Sequence, residues 1–213
     1  LKKSQQGYGV CVGHTVPDIE LRIIAIIDDS IPEWEDSIEL THGEIGEIVV
    51  KGPWVTQSYF NRNEASRLAK IKDHGNALWH RMGDVGYLDD KNRLWFCGRK
   101  NQRVRTANGT LFTIQCEGIF NIHPKVKRSA LVGIGENKNQ KPVIVIEPEQ
   151  FSELNNNSAR NLLIKELLEL GGQNKHTHQI KNVLIHQNFP VDIRHNAKIS
   201  REQLAQWATQ KIP

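Results

Sequence analysis

A lysine with basic neighbours stands near the end of the chain. In residues 191–200, VDIRHNAKIS, the side chains of Arg194, His195 and Lys198 lie within five positions, just before a predicted helix. A lysine ammonium is a compact charge on a flexible stem, and it can follow negative charge that develops on phosphoryl or carboxylate oxygens. The alternative is a solvated lysine near a helix start, where a cation is slightly unfavourable. Taken alone, the stretch favours this second interpretation.

A carboxylate and a guanidinium stand at the two ends of a predicted hairpin. Residues 80–100 are HRMGDVGYLDDKNRLWFCGRK, in which Asp84 and Arg99 each follow a glycine. Pairing of the two strands around the acidic turn brings Asp84 and Arg99 to one end of the hairpin. There the carboxylate can accept hydrogen bonds from both hydroxyls of a vicinal diol, and the guanidinium can donate to a sugar or phosphate oxygen. Local physics alone favours the alternative, a surface ion pair that contributes little to stability.

The elements that must position these residues predict an α+β protein. Strands are predicted at 20–27, 46–51, 85–88, 94–97, 129–133, 142–147 and 181–186. Helices are predicted at 63–72, 115–121 and 159–170, and after residue 200. Ser158 and Ser200 are the predicted caps of the last two helices.

The pattern of elements changes near residues 99–102. Residues 1–100 are mostly short strands, whereas a hairpin around Asn108-Gly109 begins a mixed segment. The order after that point is hairpin, helix, strand, strand, helix, strand and helix, which predicts a sheet on one side with helices on the other. The predicted domains are therefore 1–100 and 101–213.

The composition favours a soluble globular protein. The chain has 213 residues, of which 38% are hydrophobic and 24% charged, and its formal net charge is +4. A nucleic-acid binder would more often show a basic stripe with interleaved aromatic residues. The apolar runs are too short to span a bilayer, and no signal peptide is visible, so a cytoplasmic location is expected. Cys11, Cys97 and Cys116 show no paired spacing, which predicts reduced thiols and no metal site.

Five ordered pieces of the sequence resemble the AMP-forming adenylating enzymes, the superfamily of acyl-CoA synthetases, luciferases and adenylation domains. The hairpin segment is similar to that superfamily's motif of Gly-Asp, strand, acidic turn, strand and Gly-Arg. The other pieces are GYGVCVGHTVPDIELRII, GEIGEIVVKGPWVTQSYFNR, CEGIFNIHPKVKRSALVG and RHNAKISREQL. DIRHNAKISRE, HRMGDVGYLDD and WFCGRK more closely resemble the olefin-biosynthesis β-lactone synthetases, a branch often labelled fatty-acid–CoA ligases.

The resemblance implies an organisation for the chain. Residues 1–100 would be the last, β-rich and distorted barrel-like subdomain of a large N-terminal AMP-binding domain. Residues 101–213 would be the mobile C-terminal domain, with a central sheet and flanking helices. The superfamily's Gly-rich phosphate loop is not found in this sequence, and Met82 is the only methionine. The chain is therefore expected to be a fragment that is inactive alone.

The resemblance also implies roles for individual residues. In this superfamily a carboxylate attacks the α-phosphate of ATP, giving acyl-AMP and pyrophosphate. Asp84 is implied to bind the ribose hydroxyls with Arg99 beside it, and Lys198 to contact the reacting carboxylate and the α-phosphate. Asn101 occupies the position of the hinge, which is usually Asp or Lys. Mg²⁺ would accompany ATP, with any protein ligand outside this sequence.

Besides Asn101 at the hinge, the sequence departs from the superfamily's pattern in two places. Ala197 replaces the usual glycine before the lysine, and because alanine makes a positive φ costly, a negative φ is predicted. The hairpin over 107–110 lacks the usual pattern of members that use coenzyme A, so use of coenzyme A stays open. Glu117 is expected to be structural. Arg194 and His195 either add positive charge beside the phosphates or lie in solvent.

Three functions remain open at this point. The first is a ligase that activates a fatty or β-hydroxy fatty acid and closes a β-lactone, in which the β-hydroxyl attacks the activated carbonyl intramolecularly. The second is a long-chain fatty-acid–CoA ligase, which forms a thioester. The third is a non-catalytic binding domain that shares the fold. For the first two, the expected partners are the acid substrate and other enzymes of a lipid or olefin pathway, with no nucleic acid.

Overall fold

The chain folds into two compact units, seen in a computed structural model that describes residues 2–192 and 195–212. The first unit is Val10–Asn101, and the second contains the described residues of 1–9 and 102–213. The α+β class predicted from the sequence is confirmed. None of the four α-helices in the described part combines the length and apolar character that a bilayer-spanning segment needs.

The first unit is built on one antiparallel sheet. Its elements are β1 (Val10–Gly13), β2 (Glu20–Ile24), β3 (Gly46–Lys51), α1 (Asn63–Ala69), β4 (Lys70–Lys72), β5 (Leu78–Leu88) and β6 (Leu94–Arg99). The strand order is β1-β6-β5-β3-β2, and β4 pairs with β5 beside this path. The unit is β-rich as predicted, but no pairing of its two end strands closes the sheet into a barrel within the described residues.

The predicted helix over 63–72 is correct only in its first part. The chain leaves the helix at Lys70, whose φ of −124° and ψ of 135° are extended, and β4 pairs Ile71 with Trp79. Both side chains are buried in the core of the unit, together with Ile24, Ile31 and Val49. Strand pairing that buries Ile71 therefore overrides the helix propensity of this segment.

The second unit has a three-stranded sheet with helices and two small hairpins. Its elements are β7 (Val104–Thr106), β8 (Gly109–Leu111), α2 (Thr113–Phe120), β9 (Val126–Ile134), β10 (Lys141–Pro148), α3 (Asn157–Gly172), β11 (Asn182–Ile185), β12 (Val191–Asp192), β13 (His195–Ile199) and α4 (Arg201–Thr209). In the sheet, β10 lies between β9 and β11 and pairs antiparallel with β9 and parallel with β11. The hairpins are β7–β8 and β12–β13.

Helices cover both faces of this sheet. Leu131 and Ile144 pack in one core cluster with residues of α2 and α3, whereas Val132 and Val145 pack in another with residues of α4. Alternate residues of a strand point to opposite faces, so β9 and β10 are buried on both sides. The prediction of helices on one side only was wrong. The flanked central sheet that the resemblance implied is what the structure shows.

The caps of the last two helices differ from prediction in detail. Helix α3 begins at Asn157 and is capped by Asn156, whose side-chain oxygen accepts a hydrogen bond of 2.8 Å from the Ala159 amide. Ser158, the predicted cap, lies inside the helix. Ser200 does occupy the cap position of α4, although its side chain makes no capping hydrogen bond.

Candidate active site

Asp84 and Arg99 meet across the β5–β6 hairpin. They are direct partners in the antiparallel register, and Arg99 Nη1 lies 2.8 Å from Asp84 Oδ1. Gly83 precedes the aspartate with a φ of +67°, and Gly98 precedes the arginine with a φ of 137°. Because these values favour glycine, the two glycines shape the backbone that presents both side chains. The structure therefore brings together the two residues that the sequence placed at the ends of this hairpin.

The carboxylate of Asp84 is partly buried, while the guanidinium of Arg99 is open to solvent. Their side chains are 19% and 58% exposed. Burial raises the pKa of Asp84, and the nearby positive charge of Arg99 opposes this rise. No other described residue makes a hydrogen bond or ion pair with Asp84. An acceptor oxygen and the donors of Arg99 thus remain available for a polar ligand such as a diol.

A buried charged network, which sequence reasoning missed, lies next to this pair. Glu47, on β3, accepts hydrogen bonds of 2.6 and 3.1 Å from Arg81 and of 3.0 Å from Lys100. Arg81 also donates to the Ile27 and Asp29 carbonyls. The side chains of Glu47 and Arg81 are almost completely buried. The network therefore fixes the backbone immediately after Arg99.

The predicted hinge residue follows this anchored segment. Asn101 is exposed and forms the centre of a short 3₁₀ helix, Lys100–Gln102. It is also the last residue of the first compact unit. Its 3₁₀ backbone needs no positive φ, so the tolerance of asparagine for unusual φ and ψ is not used in this conformation. The hinge role itself stays a prediction.

Lys198 belongs to the second unit, on strand β13. Its side chain is exposed, and its ammonium makes no ion pair with any residue that the structure describes. Ala197 lies in the same strand, and a negative φ is the ordinary conformation of strand backbone. His195 begins the strand, whereas Arg194 lies outside the described residues. Lys198 is thus presented on extended backbone, with its charge available to a ligand.

Glu117, which was expected to be structural, forms a buried ion pair with Arg201 in the second unit. Its buried carboxylate receives Arg201 Nη2 at 2.8 Å on one oxygen and at 2.7 Å on the other. The Leu131 amide donates to the first oxygen at 2.9 Å. Burial raises the pKa of Glu117, and Arg201 opposes the rise. This environment agrees with a structural role for Glu117, but the partner was not foreseen.

No metal centre appears among the residues described, and two of the three cysteines are buried. No group of three or more His, Cys, Asp or Glu side chains there is arranged to hold a metal ion. All three cysteines are free, and Cys97 and Cys116 are buried. Burial raises the pKa of Cys97 to about 12, which keeps this thiol protonated and unreactive near neutral pH.

Two curated relatives match nearly the whole chain. It is 50% identical over 212 residues to an olefin β-lactone synthetase of Xanthomonas campestris and 46% identical over 213 residues to one of Stenotrophomonas maltophilia. Both matches cover 98% of this chain, and the chain spans 38% of the length of each relative. A 2-succinylbenzoate–CoA ligase of Bacillus cereus is 36% identical over 102 residues, or 47% of this chain. No family model matches.

Solved structures of adenylating enzymes share the fold. ATP-bound MatB from Rhodopseudomonas palustris has a TM-score of 0.73 and 21% identity, with 94% of this chain and 36% of MatB covered. The o-succinylbenzoate CoA synthetase MenE from Bacillus subtilis, in complex with an acyl-adenylate, has a TM-score of 0.68 and 22% identity, with 91% and 35% covered. Together with the curated relatives, these structures confirm the resemblance stated from the sequence. Over 98% of its length the chain is similar to the olefin β-lactone synthetases, and it shares the fold of the adenylating enzymes MatB and MenE.

Proposed function

We propose that this chain is the C-terminal part of an ATP-dependent ligase that activates a β-hydroxy fatty acid as acyl-AMP and then closes a β-lactone. The observation that carries the proposal is the 50% identity, over 98% of the chain, to a protein named olefin β-lactone synthetase. The chain spans 38% of that relative, so the activity proposed is that of the whole protein.

Asp84 and Arg99 form the proposed contact with the ribose of ATP. The partly buried carboxylate of Asp84 can accept hydrogen bonds from the two ribose hydroxyls, as an acidic residue does in dinucleotide-binding folds. The charge of Arg99 favours the ionised form of this carboxyl, and its exposed guanidinium can donate to a ribose oxygen. The donor and acceptor set therefore suits a nucleotide sugar, which ATP supplies.

Lys198 is the proposed catalytic residue of the first step. A carboxylate oxygen of the fatty acid attacks the α-phosphorus, the bond to the β-phosphate oxygen breaks, and pyrophosphate leaves. Negative charge accumulates on the phosphoryl oxygens in the transition state, and a correctly placed cation stabilises it. The exposed ammonium of Lys198 has no ion-pair partner among the described residues to compete with this contact.

The second step closes the lactone without another substrate. The β-hydroxyl oxygen attacks the acyl carbonyl carbon, the carbon–oxygen bond to AMP breaks, and AMP and the hydroxyl proton are released. Because nucleophile and electrophile belong to one molecule, the step has a large proximity advantage. Mg²⁺ would neutralise charge on the phosphates of ATP. Among the described residues, no group of three or more His, Cys, Asp or Glu side chains is arranged to hold it.

A fatty-acid–CoA ligase is the second candidate. It is favoured by the 36% identity to a 2-succinylbenzoate–CoA ligase, but that match covers only 47% of the chain. A non-catalytic domain of the same fold is the third candidate. For either ligase, we propose a cytoplasmic enzyme whose partners are the fatty acid and other enzymes of a lipid or olefin pathway.

The intact protein, given ATP and a β-hydroxy fatty acid with and without coenzyme A, separates these candidates. We expect pyrophosphate, AMP and β-lactone to form without coenzyme A. If every product beyond acyl-AMP requires coenzyme A, the ordinary ligase replaces the lactone synthetase. If no pyrophosphate is released with any acid tested, the binding domain is the better description.

A further inference from the structure

The hairpin that carries Lys198 is fastened at both of its ends by buried carboxylates. Strands β12 and β13 pair Val191 with Ile199, and the Ser200 amide donates to the Pro190 carbonyl at 2.8 Å. These contacts close the base of the hairpin. Glu117 binds the residue that follows this base, and Glu147 binds the residue that precedes it.

Arg201 anchors the C-terminal end of the hairpin, where strand β13 leads into α4. Its guanidinium reaches both oxygens of Glu117, and it lies only three residues after Lys198. At about 3.3–3.6 Å per extended residue, this anchor lies within about 11 Å of the Lys198 backbone along the chain. Arg201 is also the first residue of α4, so the ion pair sets where strand β13 ends and the helix begins.

Glu147 anchors the N-terminal end of the hairpin, just before strand β12. Its Oε2 accepts a hydrogen bond of 2.6 Å from the Phe189 amide, and the same oxygen receives Arg128 at 2.8 Å. Lys127 lies 2.8 Å from the other oxygen. The Phe189 ring is buried in the cluster that also holds Leu204 of α4. Both sides of the hairpin base therefore rest on the same core.

A contribution to stability does not by itself explain why Glu117 and Glu147 are buried with cationic partners. Removing charges from water is costly, and a buried ion pair often contributes no more than well-packed apolar side chains of similar volume. Each carboxylate does, however, fix the position of one defined backbone segment in a low-dielectric interior. The contact of Arg201 with both oxygens of Glu117 adds directional control at that end.

We infer that Glu117, Arg201 and Glu147 are positioning residues for Lys198, an inference that rests on the proposed function. They hold the base of the β12–β13 hairpin so that the ammonium of Lys198 meets the α-phosphate and the reacting carboxylate. A misplacement of about 1 Å can cost about 10²-fold in rate, even when it originates away from the chemistry. The residues act through Lys198 and touch neither ATP nor the acid.

Two rates measured on the intact protein test this inference. The first is pyrophosphate release from ATP and a β-hydroxy fatty acid, which needs Lys198. The second is the consumption of synthetic β-hydroxyacyl-AMP, which bypasses that step. We expect Arg201→Met and Glu117→Gln to lower kcat of the first rate by about 10- to 100-fold with little change in KM for ATP. The second rate should stay near that of the unaltered protein.

A conservative variant of Arg201, a variant of Glu147 and a control variant on α3 complete the test. Arg201→Lys retains the charge but loses the bidentate contact, and it should recover part of the first rate. Glu147→Gln tests the other end of the hairpin and should also slow the first rate alone. Glu169→Gln, which removes an exposed partner 3.9 Å from Lys165 on α3, should leave both rates unchanged. Thermal unfolding of each variant verifies that it is folded.

The outcomes distinguish this inference from the proposed function. If Lys198→Ala abolishes pyrophosphate release but the folded variants of Glu117, Arg201 and Glu147 retain it, the positioning role is wrong and the proposed function stands. If those variants slow both rates equally, they act through general stability, and the inference is again wrong. If Lys198→Ala itself has no effect, the role of Lys198 fails, and the positioning role fails with it.

Discussion

Arg99 lies directly opposite Asp84 in the register of β5 and β6, and its guanidinium holds the carboxylate at 2.8 Å. This pair is at once the surface ion pair that local physics favoured and the polar pair that a nucleotide sugar would need. An exposed ion pair contributes little to stability, so the two interpretations differ mainly in what happens when a ligand is added. Binding experiments therefore separate them better than stability experiments.

Replacing Asp84 by asparagine tests the ribose contact. Asp84→Asn keeps the size of the side chain but loses the charged acceptor, and hydrogen bonds to charged groups contribute about 1.5–3 kcal/mol. We expect the Kd for ATP of the intact protein to rise by about 10- to 100-fold, measured by calorimetry. Asp90→Asn, in the exposed turn of the same hairpin, is the matched control and should leave the Kd unchanged. If the unaltered protein, Asp84→Asn and Asp90→Asn bind ATP with the same Kd, Asp84 and Arg99 form only a surface ion pair.

The affinity for ATP should also depend on pH through Asp84. Burial raises the pKa of this carboxyl above 3.8, so it becomes protonated, and ATP affinity falls, at a higher pH than for a solvated aspartate. Arg99 opposes the rise, so Arg99→Met should move this loss of affinity to still higher pH. The measurement is the Kd for ATP against pH. A profile that Asp84→Asn leaves unchanged would show that another group is responsible.

Replacing Lys198 by alanine tests the proposed catalytic residue. Loss of one group that stabilises transition-state charge costs about 10²–10³-fold in kcat, so pyrophosphate release by the intact protein should slow by at least that factor. ATP should still bind, because the ribose contact is made by other residues. Lys165→Ala removes an exposed lysine from the middle of α3 and should keep the full rate. An unchanged rate for Lys198→Ala would contradict the role.

Local sequence predicted some of this structure well because the relevant contacts are local. Asp84 and Arg99 meet since a short acidic turn leaves the two strands only one simple pairing. Strand β3 was predicted with its observed limits, Gly46–Lys51, because glycines bound a β-branched run. The cap of α3 was missed because Asn156 and Ser158 are both good capping residues, and sequence alone does not choose between them.

Long-range pairing explains what could not be predicted. Glu47 meets Arg81 because β3 pairs with β5, and Glu117 meets Arg201 across 84 positions of the chain. No local pattern fixes such partners. For these partners, the available signal was a charged residue inside an apolar strand, such as Glu47, which must find a partner if it is buried. The apolar runs Ala130–Val132 in β9 and Val143–Ile146 in β10 indicate burial on both faces, which a one-sided arrangement cannot provide.

Removing one partner from the network of Glu47, Arg81 and Lys100 should strongly destabilise the first unit. Arg81→Met leaves a buried carboxylate with one fewer partner, and breaking a buried ion pair in this way costs about 3–5 kcal/mol. We expect Glu47→Gln combined with Arg81→Met to be less destabilised than Arg81→Met alone, measured by urea unfolding. Additive effects in this double-mutant cycle would show that the two side chains do not interact.

The contribution of Glu147 to stability should disappear in acid. Burial tends to raise the pKa of this carboxyl, but Lys127, Arg128 and the Phe189 amide outweigh it, so its pKa lies below the ordinary 4.5. A carboxyl with a lowered folded pKa stabilises the protein above its unfolded pKa, and this stabilisation is lost as the pH falls through the folded value. Glu147→Gln should therefore reduce the free energy of unfolding at pH 7 by about 1–3 kcal/mol and by less as the solution is acidified. Glu169→Gln, whose carboxylate is exposed, should show no comparable difference at either pH. If Glu147→Gln lowers the free energy of unfolding by the same amount at every pH, packing rather than charge holds the N-terminal end of the β12–β13 hairpin.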